Sequence, residues 1–310
     1  MNPVKPPPQP LPMQGTSTDE PSAALPRLHM LKSPQDAASV PGLEESGPAE
    51  AVAATGPAPR SGPLNVDYTA TRMVPGALER LQRTHGVVRP DRSELSETFK
   101  RLRSLVLQRL RADGHSMLAV TSPRAIAGKS LTAVNLALAV AAELDRTVLL
   151  VDADLSGRGL QALFGLAGER GLGDHLCHGT PLDALLLNPG VPRFVLLPAG
   201  ASGGLASAEL LGTQAMEKLG QEFKQRYPDR IVIIDLPPLL DTADALAFLP
   251  LADTTLLVVE EHGTALADME AAKELLAPFN LVGVVMSRPH PGDRPQRRRW
   301  WRRRGEPSPA

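Results

Sequence analysis

The chain has 310 residues, 42% of them apolar and only 3% aromatic, enough for one substantial α/β domain plus further segments. Its formal net charge is −1, yet residues 288–310 set eight Arg against Asp293 and Glu306, so a +6 tail follows a −7 remainder and points to an acidic partner or membrane surface. One cysteine, Cys177, excludes an intrachain disulfide framework and fits a reducing compartment. The Pro-rich start offers no apolar core of a secretory signal, and the longest apolar run, around Leu131–Ala142, is too short to span a bilayer and contains Asn135.

Residues 1–63 hold 14 of the 31 prolines, interleaved with Gly, Ser and Ala. Such a stretch buries too little apolar surface to offset its ordering entropy, so it is expected to be a disordered tail. Residues 64–115 form a linker with a short helical pattern near Ala77–Thr84. A longer helix follows, for which Asp91 and Ser93 offer N-caps. Leu95, Phe99, Leu102, Val106 and Leu110 share one face of that helix; Glu97, Lys100 and Arg103 lie on another.

From residue 116 to 288 strand and helix patterns alternate. Strands are expected at 116–121, 147–151, 193–198, 230–235, 254–260 and 281–286. Helices are expected at 130–144, 207–226, 241–249 and 264–277, with a helical and loop region over 158–190. Strands such as Thr147-Val-Leu-Leu-Val151 and Ile231-Val-Ile-Ile234 are apolar throughout. That implies burial of both faces, hence a three-layer α/β/α fold around a mostly parallel sheet, whose ligands sit at the carboxyl ends of the strands.

Three motifs stand at those ends. Ala119-Val-Thr-Ser-Pro-Arg-Ala-Ile-Ala-Gly-Lys-Ser-Leu-Thr132 runs from strand to helix through Gly128-Lys129-Ser130, the layout of a phosphate-binding loop. In that layout residues 125–131 (Ala125, Ile126, Ala127, Gly128, Lys129, Ser130 and Leu131) cradle phosphates. Lys129 reaches the β- and γ-phosphates, and the Ser130 hydroxyl takes a Mg²⁺ position. The full pattern wants glycine at position 123, where Pro123 stands, so Gly-Lys-Ser alone is weak evidence. Asp152 and Asp154 close one strand with their side chains on one side, and Asp235 closes another as Asp235-Leu-Pro-Pro238. An aspartate after a strand is often only a turn former, but the three motifs in this order at three strand ends are hard to obtain by accident. Asp174, His175, Cys177 and His178 do not converge on one ion at their spacing.

Taken together these residues make the chain resemble the bacterial tyrosine kinases of exopolysaccharide export. More narrowly, it resembles the tyrosine autokinases encoded with exosortase-linked polysaccharide loci. The resemblance spans roughly residues 64–288. It rests on Glu94–Leu107, Asp145-Arg-Thr-Val-Leu-Leu-Val-Asp-Ala-Asp154, Leu197-Pro-Ala-Gly200, Ala208-Glu-Leu-Leu211 and Tyr227–Leu240. It implies a P-loop NTPase fold of the cell-division and partitioning ATPase group, with ATP and Mg²⁺ as cofactors. It further implies Asp152 as the acid that activates the tyrosine hydroxyl, Asp154 as its second acid, Asp235 as the Walker B acid, and Lys129 and Ser130 as the Walker A pair. Metal contacts are then Ser130, Asp152 and Asp235. Glu97, Lys100 and Arg103 match a helix that packs subunits into rings. A membrane-embedded chain-length regulator is the implied partner, and the implied location is cytoplasmic, on the inner face of the bacterial inner membrane.

The chain also departs from that family. The family loop reads Pro-Gly-Glu-Gly-Lys; here Ala125-Ile-Ala-Gly-Lys129 puts Ile126 at a glycine. If that position requires positive φ, strain of about 1–3 kcal/mol is expected. The C-terminal tyrosine cluster is absent, leaving Tyr68 and Tyr227, and Ser287 stands near where an asparagine is usual. A catalytically weak P-loop regulator is therefore the competing reading, ahead of a partitioning-type ATPase. The tail over residues 289–310 carries Arg297–Arg304 with both tryptophans, suited to an anionic membrane or an acidic partner loop. Stacking on single-stranded nucleic acid and plain solvation are its alternatives; no specific nucleic acid is expected.

Overall fold

The apolar strands are used on both faces, and this fixes the architecture. The computed structural model describes residues 27–29, 71–89, 91–126, 128–156, 159–226 and 229–288. In chain order the elements are β1 (Arg27–His29), β2 (Arg72–Met73), α1 (Ala77–Thr84), α2 (Glu94–Ala112), β3 (Met117–Thr121), α3 (Lys129–Ala141), β4 (Thr147–Asp152), α4 (Leu160–Leu163) and α5 (Leu172–His178). Then come β5 (Leu187–Asn188), β6 (Phe194–Leu197), α6 (Ser207–Leu211), α7 (Gln214–Gln225), β7 (Arg230–Asp235), α8 (Asp244–Phe248), β8 (Thr254–Glu260), α9 (Leu266–Leu276) and β9 (Leu281–Ser287). The strands form one sheet in the order β1-β9-β8-β3-β7-β4-β6-β5-β2. Pairing is parallel except for β1 on β9 and β5 on β6.

Successive strand residues feed opposite layers, as a period of two requires. Val148, Leu150, Ile231 and Ile233 pack with Leu102, Val106 and Val134 under α1–α4. Leu149, Val151, Val232 and Ile234 pack with Leu211, Phe223, Phe248 and Leu276 under α5–α9. The expected three-layer fold with a mostly parallel sheet is what forms.

Local chemistry sets several boundaries. Ser93 is the N-cap of α2, accepting the Ser96 N–H at 3.3 Å, while Asp91 accepts the hydroxyls of both serines. Phe99, Leu102, Val106 and Leu110 are buried along the predicted face. Asn135, the polar interruption in an otherwise apolar α3, is buried and bonded. It accepts the Val88 N–H at 2.7 Å and donates to the Gly86 carbonyl at 3.0 Å, pinning the α1–α2 connection to α3. The helix expected over 207–226 is two helices, because Gly212 ends α6 and Thr213 caps α7 by accepting the Met216 N–H.

Two further differences concern the ends. Within the Pro-rich stretch expected to lack structure, Arg27–His29 is a strand on the outer side of β9; the rest of 1–63 lies outside the described residues. The basic tail, with Arg297–Arg304, also lies outside them, as do Tyr68 and Tyr227. Among the described residues no helix is long and apolar enough to cross a membrane.

Candidate active site

Parallel neighbours end together, so β3, β7 and β4 deliver their last residues to one edge of the sheet. Asp152 and Asp235 are register partners across β4 and β7, and both are fully buried. Gly128, at φ 107°, turns the chain into α3 and starts that helix with Lys129. A side chain at Gly128 would overlap Ser287 at the end of β9, so glycine is required there by space as well as by φ. The first amides of α3 have no carbonyl ahead of them within the helix, so they are free to face an anion.

The Lys129 ammonium is buried and lies 2.6 Å from Asp235 Oδ1 and 3.2 Å from Ser130 Oγ. The other oxygen, Asp235 Oδ2, is buried with no hydrogen-bond partner. Asp152 is held from both sides by backbone: its Oδ1 accepts the Asp154 N–H at 3.2 Å and its Oδ2 the Gln161 N–H at 2.7 Å. Burial, with the Asp235 charge behind it, pushes the Asp152 carboxyl up to about 8. Asp235 is also raised, because burial outweighs its Lys129 and Ser130 partners. One ammonium thus faces two buried acids, and one acid oxygen has no donor. Carboxylate oxygens of this kind are what a hard divalent cation takes as ligands. Gly159 closes the site from above, since a Cβ there would lie 2.8 Å from Asp152 Oδ1 and 3.4 Å from Asp235 Oδ2.

Asp154 stands differently. Its Oδ1 accepts the Ser156 hydroxyl and, at 3.2 Å, the Ser156 N–H, so it forms the turn after β4. It is still close enough to raise Asp152, Asp235 and Asp244. Asp244, at the start of α8, is an acid the motif reading passed over; its only sequence signal is the Asp241-Thr-Ala-Asp244 spacing.

The loop ahead of Gly128 differs from expectation. The Ala125 N–H donates to Asp241 at 2.8 Å rather than standing free for phosphate. Arg124 bridges Asp241 at 3.1 Å and Asp268 at 3.0 Å. Ile126 is partly buried against the α1–α4 core, and the described non-glycine residues at positive φ are Arg193 and His262 only. The left-handed strain expected for Ile126 is therefore absent: the side chain is anchored inward. Leu131 packs against the same core, and Ala127 lies outside the described residues.

The remaining candidates have local partners. Asp174 accepts the Gly171 and Ala201 N–H groups at 2.9 and 3.1 Å, His175 bonds the Thr180 carbonyl and Cys177 the Ser202 carbonyl. On α2, Lys100 pairs with Glu97 at 2.8 Å and both are half-exposed. Arg103 instead donates to the Ala139 carbonyl at 3.0 Å and pairs with Glu143 at 3.1 Å, holding the C-terminal end of α3 within the same chain.

No protein-family model matches the chain. The succinoglycan biosynthesis transport protein ExoP of Rhizobium meliloti is 34% identical over 184 residues, 59% of this chain and 23% of ExoP. Tyrosine-protein kinase YwqD of Bacillus subtilis is 33% identical over 162 residues, 52% of this chain and 67% of YwqD. The chain thus spans less than a quarter of the longer relative. Among solved structures, the chimerical protein CapA2B2 matches with a TM-score of 0.57 at 26% identity, over 64% of this chain and 85% of that one.

Proposed function

Since the chain belongs to the bacterial tyrosine-protein kinases, we propose that it is an ATP- and Mg²⁺-dependent protein-tyrosine kinase acting in exopolysaccharide polymerisation and export. What supports the reading is the meeting of the Lys129 ammonium with Asp235 at 2.6 Å, directly across the strand register from Asp152. Bound Mg-ATP would supply the transferable phosphoryl group and the positive charge that lets the buried acids ionise. Ser130, Asp152 and Asp235 are the side chains to hold the cation, and Asp235 Oδ2 is the oxygen left without a donor for it. Mg²⁺ commonly takes one or two carboxylates with phosphate oxygens, and the described residues form no self-contained cage of three or more acid, His or Cys ligands.

Each residue then has a task. Lys129 and the first amides of α3 bind phosphate oxygens. Asp152, fixed by the Gln161 and Asp154 amides, orients a phenolic hydroxyl and takes its proton. Asp154 keeps the turn and adds negative charge around the cation. Catalysis of this kind is positioning and charge neutralisation, and the products are ADP and phosphotyrosine. Location on the inner face of the membrane through a chain-length regulator, and self-assembly through Glu97 and Lys100 of α2, belong to the same proposal.

Calorimetry with Mg-ADP and anti-phosphotyrosine detection with Mg-ATP test it. Lys129→Ala should weaken nucleotide binding at least about tenfold. Asp152→Asn, which takes one carboxylate from the cation, should weaken binding less than Lys129→Ala does, by no more than about tenfold, and lower transfer by about 10²–10⁴. The Ala125 N–H, taken by Asp241 and not free for phosphate, favours one second reading, a regulator that binds nucleotide without transfer. Tight Mg-ADP binding with no phosphotyrosine formed would select it.

A further inference from the structure

The stretch from Ser122 to Ala127, which leads from β3 to Gly128, contains no glycine. Under the kinase reading this loop wraps phosphate, and without glycine its path is set by bonds to its neighbours. We propose that Asp241 is the positioning residue that sets this path, with Arg124 as the clasp that holds Asp241 in place. The inference rests on the kinase reading and adds to it a residue that decides how well Lys129 and the first amides of α3 meet phosphate.

Three consecutive residues after β7 grip the loop. The Leu239 N–H donates to the Ser122 carbonyl at 2.9 Å and the Leu240 N–H to the Pro123 carbonyl at 3.0 Å. Asp241 Oδ2 then accepts the Ala125 N–H at 2.8 Å. The first two contacts are made by backbone, so any residue but proline can supply them. The third depends on the carboxylate. It falls three residues ahead of Gly128, where the chain turns at φ 107° into α3 and brings Lys129 to Asp235.

Strand order accounts for the clasp. β3 lies between β8 and β7, so a side chain leaving its end can reach the exits of both neighbours. Arg124 does so. Its Nη1 meets Asp241 Oδ1 at 3.1 Å, and its Nε meets Asp268 Oδ1, in the first turn of α9, at 3.0 Å. The Asp241 carboxylate is thus held at one oxygen by a cation and at the other by the Ala125 amide. Ser122 Oγ donates to the Arg124 carbonyl at 2.7 Å and closes the turn.

These bonds bear on the site more than on the fold. The Arg124 and Asp241 side chains are 53% and 32% exposed, and ion pairs that open to water add little to stability. Their effect is geometric, and a shift of about 1 Å in groups that position a substrate can cost about 10²-fold. Loss of Asp241 should therefore weaken phosphate binding while the fold hardly notices.

The test compares full-length variants by calorimetry with Mg-ADP and with inorganic pyrophosphate and Mg²⁺, by urea titration, and by hydrogen exchange over residues 122–129. Asp241→Ala should bind both ligands at least about fivefold more weakly, by similar factors, with its urea midpoint within about 0.3 M of the parent. Asp241→Asn keeps an oxygen for the Ala125 N–H and should recover affinity to within about twofold of the parent. Without ligand, the Ala125 amide should exchange at least about tenfold faster in Asp241→Ala than in the parent. Equal affinity in Asp241→Ala overturns the positioning role, and tighter binding does so by making the carboxylate a competitor of phosphate. A urea midpoint that drops further than stated overturns it too, since Asp241 would then serve the fold. A parent chain that binds neither ligand sinks the kinase reading instead, and the Ala125 exchange still decides whether Asp241 holds the loop.

Discussion

One buried ammonium cannot neutralise two buried carboxylates, and the difference is carried by Asp152. Its carboxyl sits near 8, above its ordinary value of 3.8, so the folded protein holds that proton more tightly than the unfolded chain. The folded state is then favoured at low pH, and the advantage drains away as pH climbs from about 4 towards 8, at up to about 1.4 kcal/mol per unit. Asp235 is shifted the same way and adds to the slope. Thermal melts of the metal-free chain should therefore fall in midpoint between about pH 5 and 8. In Asp152→Asn the slope should shrink, and saturating Mg-ADP should shrink it too, because a cation favours the ionised acids. A midpoint that rises with pH over that range would mean Asp152 is not the protonated partner.

At the scale of elements, the loop between β3 and Gly128 and the helix α3 are fastened from opposite sides. Ahead of Gly128 the loop is tied to the segment after β7: Leu239 and Leu240 donate to the carbonyls of Ser122 and Pro123, and Asp241 takes the Ala125 N–H. With Ile126 tucked into the core, the loop is shaped by anchoring where a glycine loop relies on freedom. Ile126→Gly should therefore leave Mg-ADP affinity within about threefold and lower unfolding free energy by about 1 kcal/mol, measured by calorimetry and urea titration. A gain in affinity above tenfold would restore the strain argument. On the other side, Asn135 satisfies two backbone groups of the α1–α2 connection. Asn135→Leu leaves both without partners and should cost about 2–4 kcal/mol in the same titration, roughly 1–3 for each lost partner and less where water enters.

Much of this was legible from residue pattern. Unbroken apolar strands ending in Asp152 and Asp235 gave the layers and the acid positions, because a parallel sheet leaves strand ends few other places to be. The pattern did not reveal Gln161, whose task comes through its backbone N–H, nor Arg124 and Asp241, which meet across 117 positions. It also left Arg103 on the outer face of α2, whereas its guanidinium reaches the end of α3. Local periodicity carries no information about which neighbouring helix a long side chain will reach.

At the scale of the whole molecule, the sheet has two unequal margins. One ends in the two-residue β2; the other would end in the seven-residue β9 were it not for Arg27–His29, set opposite Met286, Val285 and Val284. A long apolar margin with unpaired amides is a template for a neighbouring chain. These three residues, some forty positions before the next described segment, work as a seal on that adhesive rim. Placing proline at both Leu28 and His29 removes the one N–H of this adjacent pair that can face β9, whichever of the two it is. Sedimentation velocity should then register concentration-dependent self-association beyond that of the parent chain, so a stretch remote from the paired acids would decide how crowded a solution this protein tolerates.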